Sequence, residues 1–66
     1  MIYFNSLGPS GNIFAILGLV RNEMRKQRRI TEYNTMWQRV QNSKSYEEAL
    51  KIVREYVELI DLDNKF

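Results

Sequence analysis

The chain has no cysteine and no histidine. The first absence excludes disulfide staples, and the two together remove the usual soft ligands of a structural zinc site. Histidine is also the side chain that most often moves protons near neutral pH, so acid–base catalysis would fall to carboxylates or lysines. Long apolar runs are missing too. The longest, Ile13 to Val20, is interrupted by Gly18 and falls well short of the roughly 20 residues a membrane-spanning helix needs. No positively charged segment precedes it and no cleavage pattern follows it, so no signal peptide is expected and a cytoplasmic protein is. Proline and glycine are scarce: one proline and three glycines, all between positions 8 and 18.

Sixty-six residues make one domain, residues 1–66, with 63–66 expected to fray. A chain of this size buries only about 60% of the surface it exposes when unfolded. With disulfides and soft metal sites excluded, oligomerisation is the remaining support, and a homo-oligomer, dimer or larger, is expected. The net charge is only +2, but residues 1–39 carry six basic and two acidic side chains, and residues 40–66 carry four basic and six acidic. The halves can attract one another within a chain or between chains.

Apolar periodicity predicts an α+β domain ordered β-α-α-α-β, its short two-stranded sheet built from the chain ends. "MIYFNSL" alternates Ile2 and Phe4 with Tyr3 and Asn5, the pattern of a strand. "GPSGN" breaks it, and Ser10 or Asn12 can cap the helix that follows. Ile13, Ile16, Leu17, Val20 and Met24 then recur at the spacing of one buried helical face, to about Arg28. Phe14, Ala15 and Leu19 lie off that face, so the first two turns are apolar nearly all round and call for a second subunit. A second helix follows, with Thr31 as its cap and Tyr33, Met36, Trp37 and Val40 on one stripe. Ser45 and Glu48 form the S-x-x-E capping box of a third helix, which buries Tyr46, Ala49, Leu50, Val53 and either Tyr56 or Val57. The last strand is expected at about 57–62.

The clustered glycines raise two readings. Structurally, Gly8 can adopt positive φ in a turn with Pro9, Gly11 lets the chain bend into the helix, and Gly18 permits close backbone approach in mid-helix. Functionally, a glycine-rich turn at a helix start presents free N–H groups, so Ser10, Gly11 and Asn12 form a candidate anion cradle. "GPSGN" matches neither the P-loop nor the dinucleotide fingerprint.

Arg21, Arg25, Arg28 and Arg29 recur at i, i+4, i+7 and i+8, a basic stripe able to grip phosphates or an acidic partner. The alternative is a solvated face favoured near a helix C-terminus. Phe14, Gly18 and Leu19 are read as an oligomer interface, and Phe14, Leu19 and Ile52 as candidate apolar contacts for a partner protein. Catalysis has little to work with. Glu47 and Glu48 are adjacent and point to different sides of a helix, and Ser10, Thr31 and Ser45 have no partner base. No enzyme, no catalytic residue, no metal and no cofactor are expected.

The pattern G-x-x-G-N-x-F-x-x-x-G after a strand, carried here by Gly8, Gly11, Asn12, Phe14 and Gly18, resembles an uncharacterised group of small phage and bacterial proteins. Tyr46, Leu50 and Tyr56 match the group's closing segment. Lys44 and Ser45 stand where the group has Gly-Asp, which removes an acidic side chain from that place. The resemblance covers most of the chain and implies the fold and a phage-type origin, hence the host cytoplasm. It also implies action by occupying something, as an anti-defence protein does. The leading expectation is a non-enzymatic protein sequestering a small anionic ligand such as a signalling nucleotide. The alternative is an inhibitor or adaptor of a host protein, with nucleic-acid binding third and no membrane partner.

Overall fold

The computed structural model describes residues 1–8 and 11–65. The order is β1 (Ile2–Phe4), α1 (Ile13–Lys26), α2 (Ile30–Gln41), α3 (Tyr46–Arg54) and β2 (Leu59–Asp61). The β-α-α-α-β order expected from periodicity is therefore the fold. The two strands pair in parallel, Ile2 opposite Leu59, Tyr3 opposite Ile60 and Phe4 opposite Asp61. Because side chains alternate along a strand, this register turns Ile2, Phe4, Leu59 and Asp61 to the buried face and leaves Tyr3 exposed.

The helices cover that face. Ile16, Val20 and Met24 of α1, Met36 of α2, and Leu50 and Val53 of α3 are all fully buried with Phe4. The helix ends explain the chain's turns. Asn12 caps α1, its Oδ1 accepting the Phe14 N–H at 2.7 Å. At the other end Arg28 takes φ 59°, and the N–H groups of Arg28 and Arg29 donate to Arg25 and Met24. That is a Schellman motif with arginine at the left-handed position glycine usually fills. α1 thus stops at Lys26, short of the expected Arg28.

Other expectations are corrected here. α2 is capped at Arg29 and not at Thr31, without a side-chain cap bond; the Arg29 guanidinium instead grips Glu32 in the first turn through two 3.1 Å bonds. In the α3 box, Ser45 Oγ accepts the Glu48 N–H at 3.0 Å as expected, but the Glu48 carboxylate accepts from Lys44, one residue earlier than the standard pattern. Ile52, read as a partner contact, is buried. Tyr56 and Val57 both lie past the end of α3, half-buried.

Residues 63–65, expected to fray, are engaged by hydrogen bonds to the rest of the fold. The Asp61 carboxylate, buried by register, accepts the N–H groups of Asp63 and Lys65 at 3.0 and 2.8 Å. It also accepts the Ser6 N–H at 3.1 Å and the Ser6 hydroxyl at 2.7 Å, while Asp63 accepts the Leu7 N–H. A buried carboxylate needs such donors. Here they come from both chain ends, which are thereby clasped together.

Candidate functional site

The segment from Asn5 to Asn12 connects β1 to α1. Gly8 donates its N–H to Asn5, and Gly11 donates to Gly8, both at 3.0 Å. No glycine has positive φ, so the left-handed role expected of Gly8 does not apply. Gly11 is needed for space: a Cβ there would lie 2.4 and 2.5 Å from the carbonyl oxygens of Ser6 and Asn5. Its own carbonyl accepts the Tyr46 hydroxyl, fastening the start of α3 to the start of α1. Burial pushes the Tyr46 phenol above its ordinary pKa, the nearby Asp61 charge adds to this, and Arg54 opposes it.

For the anion cradle, Ser10 lies outside the described residues. The Gly11 N–H is occupied by Gly8, and the Asn12 side chain is an acceptor engaged on α1. These bonds consume the Gly11 and Phe14 N–H groups, donors an anion at the helix start would use, and they hold the elbow in shape.

The basic stripe is broken as a single face. Arg21 and Arg25 lie on α1, but Arg28 sits at the left-handed turn and Arg29 begins α2, bound to Glu32 and Gln27. The 3.6-residue period ended with the helix, so the last two arginines left the stripe. Gly18 is exposed, and among the described residues nothing beyond its own helix backbone lies within 4 Å of the Cβ it lacks, so no close approach inside the chain explains it.

A groove of about 610 Å³, open to solvent, lies between the start of α1, the end of α2 and the start of α3. Ile13, Phe14 and Leu17 form one wall, Trp37 and Val40 another, and Tyr46 and Ala49 a third. Gln41, Ser43 and Ser45 add polar groups. Phe14 is 72% exposed beside this hollow, and along α1 the exposed apolar surface continues through Ala15 to Leu19. Periodicity assigned Trp37 to the core, whereas it is half-buried and lines the groove. The signal available in the sequence was the pairing of an off-face Phe14 with the only tryptophan; nothing local showed that the two would meet.

Among the described residues no group of three or more His, Cys, Asp or Glu side chains is placed to hold a metal, and no helix is long and apolar enough to cross a membrane. Comparison with protein-family models, curated proteins and solved structures found no match.

Proposed function

We propose that this chain is a non-catalytic binding protein that takes an apolar side chain or short apolar segment of a protein into the groove between the helix ends. The observation that carries this reading is the juxtaposition of that groove with the exposed Phe14 and the half-buried Trp37. Pockets that bind ligands are concave and mostly apolar, with a few polar groups that fix orientation, and the groove's volume falls within their usual range. An aromatic side chain standing free beside such a hollow is what a binding surface uses as an anchor. This favours the inhibitor-or-adaptor class over anion sequestration, because the glycine elbow uses its Gly11 donor internally. A phage-type origin is part of the same proposal.

Trp37 is the only tryptophan, so its fluorescence reports on the groove alone. Titration with short blocked peptides carrying one Phe or Leu should shift its emission to the blue and saturate, and charged peptides lacking an apolar residue should not. Gln41→Arg, at an exposed lining position, should weaken the response. A Trp37 signal indifferent to every apolar peptide at dilutions where the chain is monomeric would refute the reading.

A further inference from the structure

The reading just given leaves the occupant of the groove unnamed. We propose that it is a second copy of this chain: two α1 helices cross antiparallel on a two-fold axis near Ala15, and Phe14 of each copy enters the groove of the other. This inference rests on the groove being a binding site and adds the partner and the register.

Knob and hole occur together on one chain. Phe14 is 72% exposed and stands at the edge of the groove it would have to fill in a partner. A two-fold operation satisfies both at once, since in an isologous interface residue i meets j and j meets i. A second copy supplies an aromatic knob of its own and buries Phe14 of both chains at once.

The groove touches α1 at Ile13, Phe14 and Leu17, which places the axis near Ala15. Gly18 then lies against the partner's Asn12, at the helix start. There the missing side chain lets backbone approach backbone, and this accounts for a mid-helix glycine whose missing Cβ would meet no other part of the described chain.

Charge supports the antiparallel sense. Arg21, Arg25 and Lys26 are exposed and enter no ion pair among the described residues, and neither does Glu47. With a rise of 1.5 Å per residue, Arg21 and Arg25 lie roughly 9 and 15 Å along α1 from Ala15. In the antiparallel partner they therefore reach past the start of α1. That is where the Tyr46–Gly11 bond holds the first turn of α3, with Glu47 and Glu48. The basic end of one copy meets the acidic turn of the other, and the helix dipoles oppose favourably.

Sedimentation equilibrium on the full chain over a range of concentrations tests this. The expected result is a monomer–dimer equilibrium reaching twice the 7.9 kDa chain mass, with Trp37 emission moving to the blue as dimer forms. Phe14→Glu and Gly18→Glu, both at exposed positions, should each weaken association by about tenfold or more. Circular dichroism should show their helices intact. Added salt should weaken the wild-type dimer. A monomer at every concentration, or a dimer indifferent to both variants or silent at Trp37, overturns the proposal. A monomer whose Trp37 still responds to apolar peptides would overturn this inference and leave the groove reading standing; loss of that response as well would remove both.

Discussion

Two glycines illustrate how the same residue type serves opposite ends. Gly11 is held in a space with no room for a methyl group, against the carbonyls of Asn5 and Ser6. Gly11→Ala must push backbone against backbone, and overpacking of this kind costs about 1–3 kcal/mol. Urea unfolding should show a loss of that size with an unchanged slope. Gly8 is different, since its nearest neighbour would be Asn5 Cβ at 3.4 Å, an ordinary contact. Alanine there should be nearly silent, which makes Gly8→Ala the control. Three glycines that look alike in sequence thus separate into a steric requirement, a tolerant turn and an open helix position.

Among the elements, the end of α1 decides how the basic residues are deployed. Had the helix continued, Arg28 and Arg29 would have joined Arg21 and Arg25 on one stripe. Instead the chain turns at Arg28 with φ 59°, a conformation that costs an L-residue about 1–2 kcal/mol relative to glycine. Arg28→Gly should therefore raise stability by about 1 kcal/mol in thermal or urea unfolding, part of the gain being returned as unfolded-chain entropy. A destabilised variant would mean that the Arg28 side chain makes a contact outweighing its backbone strain. The ends of α2 and α3 are joined differently. Arg39 holds Glu55 through bonds of 2.8 and 2.9 Å and also donates to the Tyr56 hydroxyl. The bond to Arg39 lowers the Glu55 pKa below the ordinary carboxylate value. Both partners are solvated, so the link orients the helix ends more than it stabilises them.

For the whole molecule the decisive feature is the closure of the chain on itself. Two three-residue strands cannot hold a sheet alone. Asp61 supplements their pairing by gathering donors from Ser6, Asp63 and Lys65. Removing it leaves several inward-facing donors without an acceptor, at about 1–3 kcal/mol for each group that stays buried. Asp61→Ala is expected to cost about 3 kcal/mol or more, to expose both chain ends to proteolysis and to loosen the elbow. Hydrogen exchange at Ser6 and Lys65 should rise together. Independent rise of one end would show that the clasp does not couple them.

The sequence by itself determined the order of elements, because apolar spacing follows the geometric period of a helix or strand wherever the chain falls. Ile16, Val20 and Met24, the Ser45 cap and the alternation of Ile2 and Phe4 were all legible for that reason. Local pattern was silent on what depends on two distant segments meeting. Asp61 fell within the expected last strand, but only the parallel register turned it inward beside Ser6. Thr31 looked like a cap until the left-handed Arg28 started α2 two residues sooner. Trp37 and Phe14 became one groove only when the end of α2 was laid against the start of α1. Tertiary structure decided these, since burial and contact belong to the packed chain and not to any stretch of it.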